Sequence, residues 1–206
     1  MIHRQNIERG FTLIEVLIAM GIAVALALAV AIFAKDIFLN NGFISNSLNA
    51  EQAGRTVIRR MVGELRSALP GSNGAYTIEK ADRNELIFYT DLDTDGLKER
   101  VRYTLVGSTT LEKGVTRPTG QPYIYNLAGE NKSTVAINLL MATGTDIFAY
   151  YDRNYNGSSS PRSFPVDIPD IRLIKVSLRI EADKNRSPVP LIFTSQVLIR
   201  NLKDNL

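Results

Sequence analysis

The sequence has no cysteine, no tryptophan and a single histidine, His3. Without cysteine it forms no disulfide and offers no thiolate to a metal or a substrate, so the fold has to hold by packing alone. Proline is missing ahead of Pro70, and nothing before that point forces a helix to break. Charge is nearly missing from Phe11 to Ala34, where Glu15 is the one ionised side chain. At 1.5 Å rise per residue this run makes roughly 36 Å of helix, enough to span a bilayer. An excess of either sign is also missing. The 24 Lys and Arg against 21 Asp and Glu leave a net charge of +3, too weak to argue for nucleic acid by itself.

What is present at the amino terminus is a short polar leader, Met1 to Gly10, with His3, Arg4 and Arg9 against Glu8, followed by Leu, Ile, Val and Ala with Gly21 among them. Two ordinary readings fit the apolar run. One is a secretory signal peptide, with small-residue cleavage sites at Ala27-Leu28-Ala29 and Ala29-Val30-Ala31. The other is a plain single-pass anchor with its basic end in the cytoplasm. Neither uses Glu15. A carboxylate near the start of an apolar segment costs a few kcal/mol by insertion scales, so its presence points to a partner charge.

Gly10-Phe11-Thr12-Leu13-Ile14-Glu15 resembles the leader junction of type IV pilins and pseudopilins. The resemblance implies cleavage by a prepilin peptidase between Gly10 and Phe11, N-methylation of the new amino terminus at Phe11, and Glu15 as the assembly carboxylate. The physics agrees with the last role. A new α-amino group at Phe11 is a cation inside the membrane, and Glu15 of a neighbouring subunit is an anion able to neutralise it there. Removal of the leader would also remove His3. The mature chain would then have neither His nor Cys, which excludes Ser-His-Asp and Cys-His catalysis and the common zinc sites. What remains for an enzyme is carboxylate chemistry, and no pair of acids is placed as a glycosidase pair would be.

Beyond the apolar run, Ile44, Leu48, Ile58, Met61, Val62, Leu65 and Leu69 recur at spacings that are mostly three and four. This predicts an amphipathic continuation of the helix over 35–70, laid on a core and closed by Pro70-Gly71. Glu51 and Arg55 form an i, i+4 pair. Arg55, Arg59, Arg60 and Arg66 make a basic stripe on the opposite face. A DNA contact and a solvated face that meets acidic groups on neighbours both fit it; with no aromatic side chains interleaved to stack bases, the second reading is preferred.

From residue 71 the period changes to that of strands. Strands are expected at Ala75 to Glu79, Glu85 to Thr90, Arg100 to Leu105, Ile147 to Tyr151, Arg172 to Ile180 and Leu191 to Arg200, with a polar loop around Asp183 to Pro188. The middle, Gly107 to Gly144, is broken by Pro118, Gly120 and Pro122 and stays open, with Thr134 to Met141 either strand or helical turn. The layout is α+β, a long amino-terminal helix against an antiparallel β-rich head over 71–206. Over the head, Phe88-Tyr89-Thr90-Asp91 leading to Val101-Arg102-Tyr103, Tyr150-Tyr151-Asp152 and Arg200-Asn201-Leu202 resemble minor pilins and minor pseudopilins of the J or W type. Major pilins often carry a helix-kinking proline and a carboxy-terminal disulfide loop; here Ala31-Ile32-Phe33 and the lack of cysteine favour a minor subunit.

Two acidic turns stand out. Asp91-Leu92-Asp93-Thr94-Asp95-Gly96 begins like a calcium loop, with alternating carboxylates and a glycine for the sharp turn, although Arg102 stands where the closing bidentate Glu belongs. Glu99 is the substitute oxygen donor, which makes Asp91, Asp93, Asp95 and Glu99 the candidate calcium ligands. Asp152-Arg153-Asn154-Tyr155-Asn156-Gly157 repeats the spacing with two amides, and Ser163 at its close. Both segments also read as plain strand connections, Asp95-Gly96 being a strong hairpin signal.

The resemblance implies a structural, non-enzymatic minor subunit of a type IV filament system, serving a pilus, type II secretion or DNA uptake. It is held in the cytoplasmic membrane with its head outside the cytoplasm, and its partners are prepilin peptidase and other pilin subunits. A membrane-anchored or secreted binding module that captures DNA or a secreted substrate is the alternative.

Overall fold

A computed structural model describes residues 11–140, 145–181 and 190–199. The leader Met1 to Gly10, the loop around Asp183 to Pro188 and the segment Arg200-Asn201-Leu202 lie outside the described residues. Contacts divide the chain into two compact units, Met1–Ser45 and Asn46–Leu206, and helix α1, Leu13–Arg66, contributes to both.

In the first unit, Leu13–Lys35 has the length and composition to cross a membrane, with a mean hydropathy of 2.9 and none of its apolar side chains buried by the chain itself. Leu17, Met20, Leu28 and Phe33 are all more than half exposed. In water such a surface would cost about 25 cal/mol for every Å² of apolar area, so it has to be covered by lipid or by other helices.

In the second unit the remaining part of α1 is a core element. Ile58, Met61, Val62 and Leu65 are buried, as the helical stripe predicts. Leu48 departs from that prediction, being 54% exposed, and the side chain of Ile44 lies outside the described residues. The helix also ends at Arg66, short of the expected Pro70. Ser67 Oγ turns back onto the carbonyls of Gly63 and Glu64, and the Leu69 N–H leaves the helix to bond the Tyr89 carbonyl at 2.9 Å. The helix terminus is thereby sewn to a strand.

One sheet has five strands in the order β1-β2-β3-β4-β7: β1 Ile78–Ala81, β2 Glu85–Thr90, β3 Glu99–Val106, β4 Thr110–Thr116 and β7 Asn131–Ala136. All its pairings are antiparallel. A second has three strands in the order β10-β9-β8, with β8 Phe148–Tyr151, β9 Leu173–Ile180 and β10 Leu191–Leu198. A two-residue ribbon, β5 Pro118–Thr119 with β6 Ile124–Tyr125, and 3₁₀ turns at Leu127–Gly129 and Ile168–Asp170 complete the described elements. The β3–β4 connection has positive φ at Gly107 and Ser108, the geometry of a turn that matches strand twist. Leu139, beyond the end of β7, makes an isolated antiparallel bridge to Ile180 of β9.

The core lies where α1 packs on both sheets, around Met61, Leu65, Phe88, Tyr103, Phe148 and Val176. Burial in β9 follows the expected alternation, whereas β2 is buried on both faces from Leu86 to Thr90. The strand expected at Ala75 to Glu79 is displaced to Ile78–Ala81, because Gly71, Gly74 and Ala75 close a turn of their own through Gly71 N to Ala75 O and Gly74 N to Gly71 O.

Candidate functional site

The first candidate is the start of α1. Thr12 precedes the first helical residue and Glu15 follows three positions later, the pattern of a capping box. The Thr12 N–H and hydroxyl both donate to Glu15 Oε2 at 3.3 Å, and the Glu15 N–H donates to Thr12 Oγ1 at 3.4 Å. Glu15 therefore turns back on its own helix terminus, where the dipole favours an anion. Phe11 is 84% exposed beside it. Gly10 lies outside the described residues. Thr12 escaped notice as a partner of Glu15, although Thr-x-x-Glu ahead of an apolar run is a helix-start signature readable in the sequence.

The second candidate is the turn between β2 and β3. One carboxylate oxygen each from Asp91, Asp93 and Glu99 lies within 4.8 Å of the others. Asp95 stands apart from that group, since its Oδ1 accepts the Leu97 N–H at 2.8 Å. Asp91 Oδ2 accepts from Gly96 N at 3.0 Å, and Gly96 has φ +89°, which an L side chain rarely adopts. Glu99 Oε2 accepts from Leu92 N at 2.9 Å. Two contacts were not foreseen: Arg117 Nη2 pairs with Asp93 Oδ2 at 2.6 Å, and Ser72 Oγ accepts from Lys98 N, tying the turn to the segment after α1. Arg102, at the position of the missing closing Glu, belongs to another pair, with Glu130.

The turn at Asp152 to Gly157 is closed by its own donors. Asp152 Oδ1 takes the Asn154 N–H, Asp152 Oδ2 pairs with Arg162 at 3.4 Å, and Asn156 Oδ1 accepts from Ser158 and Ser159.

A third arrangement joins α1 to the sheet. Glu64 receives the Tyr103 hydroxyl at 2.7 Å and Lys113 Nζ at 2.6 Å, and both ionised side chains are largely buried. Burial, and then the Glu64 charge, push the Tyr103 hydroxyl well above its ordinary range. On the same sheet Arg100 grips Glu79 with two hydrogen bonds, at 2.8 and 2.7 Å, and Arg102 grips Glu130 at 2.8 and 2.6 Å. Burial would raise the Glu79 carboxyl, but the Arg100 and Tyr89 hydrogen bonds and the Arg100 charge outweigh it and leave it lowered. Glu130 is lowered chiefly by its hydrogen bond from Arg102. These networks fix the sheet and the helix against each other. The arginines of the α1 stripe are exposed; Arg55 pairs with Glu51 at 2.7 Å, and Arg59 Nε donates to the Arg55 carbonyl.

Residues 5–31 match the prokaryotic N-terminal methylation motif. The match, on a chain whose apolar amino-terminal helix has the length to cross a membrane, supports a type IV pilin-like protein, and with it processing by a prepilin peptidase and assembly with other pilin subunits. Comparison with curated proteins and with solved structures found no match.

Proposed function

We propose that the chain is a minor subunit, structural rather than catalytic, of a type IV filament system. The observation that carries this reading is the amino terminus itself: the methylation motif over residues 5–31 coincides with an apolar helix that the rest of the chain leaves uncovered. Prepilin peptidase cuts between Gly10 and Phe11, and the Phe11 amine is methylated. The helix first rests in the cytoplasmic membrane with the head outside the cytoplasm. On assembly, neighbouring helices replace lipid against residues such as Leu17, Met20 and Leu28.

Glu15 sets the register of that exchange. In the single chain its carboxylate is held by Thr12, which lessens the cost of keeping an acid in an apolar segment before a partner arrives. In the filament the amino group of a neighbouring Phe11 takes over, a full charge in place of hydrogen bonds of 3.3 Å. The head selects neighbours through its surface loops.

The test is the amino-terminal mass of the protein from cells with and without a prepilin peptidase. Peptidase-dependent loss of Met1 to Gly10 with an added methyl group on Phe11 supports the reading. An intact leader leaves a plain anchor, cleavage near Ala29 or Ala31 leaves a secreted domain, and either result removes Glu15 from assembly. The minor role is tested separately by stoichiometry in purified filaments, where the chain should be far outnumbered by another subunit.

A further inference from the structure

Among the described residues of the second unit, three buried side chains belong to the acidic or basic types: Glu99 at 2% exposed, Arg100 at 7% and Lys113 at 7%. Two of them are paired with the opposite charge, Arg100 with Glu79 and Lys113 with Glu64. Glu99 is the exception. Its carboxylate accepts one hydrogen bond, from the Leu92 N–H, and among the described residues no Lys or Arg nitrogen stands within ion-pair distance of it. Buried carboxylates are ordinarily paired with a cation or coordinate a metal.

Instead of a cation, Glu99 has two further anions beside it, with oxygens of Asp91 and Asp93 within 4.8 Å. One of these neighbours is also incomplete: Asp91 Oδ1 is shielded from solvent and accepts no hydrogen bond, although the other oxygen of the same carboxylate does. Native structures satisfy the large majority of such acceptors. A buried acid without a counter-charge, a shielded oxygen without a donor, and a third carboxylate within reach describe a place built for a positive charge.

We propose that Asp91, Asp93 and Glu99 hold a divalent calcium ion. The donors are all oxygens, with no imidazole or thiolate in the group, which selects a hard cation over zinc or copper. Calcium accepts the irregular geometry of a loop and completes its shell with carbonyls and water; magnesium demands a near-ideal octahedron. The competing cation is weak. Arg117 pairs with one oxygen of Asp93, but its side chain is 70% exposed, and a surface pair of this kind is readily displaced. The bound ion would fasten the β2–β3 turn, which Lys98 N and Ser72 Oγ already tie to the segment after α1.

The experiment is thermal unfolding of the full chain in detergent, in 5 mM calcium, in 5 mM magnesium and in EGTA. With extracellular-type affinity, calcium should raise the Tm by roughly 3–10 °C and magnesium by clearly less. Glu99→Gln should behave in an opposite way in the two conditions: a Tm above the parent in EGTA, because a buried charge is gone, and no response to calcium. Asp91→Asn should lose most of the calcium response, and tyrosine-sensitised terbium emission, displaced by calcium, should fall with it. An unchanged Tm in calcium overturns the proposal, as does a full calcium response retained by both variants. If Glu99→Gln does not fold, Asp91→Asn and the terbium titration decide the matter alone.

Discussion

Gly54 sits in α1 with its Cα side against Phe193 of β10, and a β-carbon placed there would meet the Phe193 ring, with Cδ2 at 2.6 Å and Cζ at 2.7 Å. Two effects oppose each other in Gly54→Ala. Alanine is favoured over glycine in a helix interior by about 1 kcal/mol. Crowding a packed contact costs about 1–3 kcal/mol, because real β-carbons do not approach to such distances and ring or strand has to move. The clash should win by about 1 kcal/mol, lowering the Tm of the full chain in detergent by about 2–4 °C. Phe193→Ala removes the ring and with it the clash, so Gly54→Ala in that background should stabilise by about 1 kcal/mol. The sign of the same substitution reverses, and the coupling between the two sites is about 2 kcal/mol. Thermal unfolding of the four proteins in one buffer measures it. Equal effects of Gly54→Ala in both backgrounds would refute the claim that close approach to Phe193 is what requires glycine.

Lys113→Met leaves Glu64 largely buried without its cation and should cost about 3 kcal/mol in thermal or denaturant unfolding; pairing it with Glu64→Leu should recover most of the loss, since a buried pair replaced by apolar groups is often neutral. An acid titration of stability tests the arginine clamps: Glu79 and Glu130 are both lowered in the fold, so their contribution is present above the ordinary carboxylate value of 4.5 and is lost as pH falls through the folded values. Replacing both by Gln should flatten the loss below that pH. At the alkaline end the raised hydroxyls of Tyr89, Tyr103 and Tyr150 contribute stability that is present below the ordinary value of 10.0 and is lost as pH rises. Their tyrosinate absorbance should appear together with unfolding, and smooth titration of all eight tyrosines near 10 in the folded chain would contradict their burial. Thr12→Ala should speed hydrogen exchange of the Glu15 and Val16 amides in detergent about fivefold, the equivalent of about 1 kcal/mol of lost capping, and unchanged rates would leave Glu15 without its described restraint.

The parts of the fold that were legible in the sequence are those in which one physical demand acts alone. From Leu13 to Lys35 the demand is apolarity, and in β9 it is strict alternation, with Ile174, Val176, Leu178 and Ile180 buried between partly exposed polar residues. β4 was hidden because two demands meet in it. Lys113 lies buried at a position where strand alternation ordinarily places an apolar residue, since Glu64 reaches it from α1, and Gly114 is small because Glu130 crosses its face to reach Arg102. β7 was hidden for another reason: it is an edge strand, polar and exposed over Asn131 to Thr134. In the acidic turn the spacing named Asp91, Asp93 and Asp95 with Glu99 as substitute, and the fold gathers Asp91, Asp93 and Glu99; Asp95 instead accepts from the Leu97 N–H two residues on, as turn aspartates do, and nothing local could tell that Arg117 arrives from the far end of β4. The amino-terminal motif was the most legible of all, because its residues are adjacent in the chain and need no fold to bring them together.

Helix α1 answers to two masters along one uninterrupted backbone. Up to Lys35 its side chains are chosen for what surrounds the molecule; from Ile58 they are chosen for what fills the head. Anyone transplanting this head onto another subunit, as an affinity handle or a reporter, therefore cannot cut where the strands begin. A graft starting at residue 71 would leave behind Met61, Leu65 and Glu64 and deliver two sheets with no middle. The workable seam lies within the helix, between Lys35, where the apolar span ends, and Asn46, where the second compact unit begins. Natural exchange of heads among such chains would be held to the same seam.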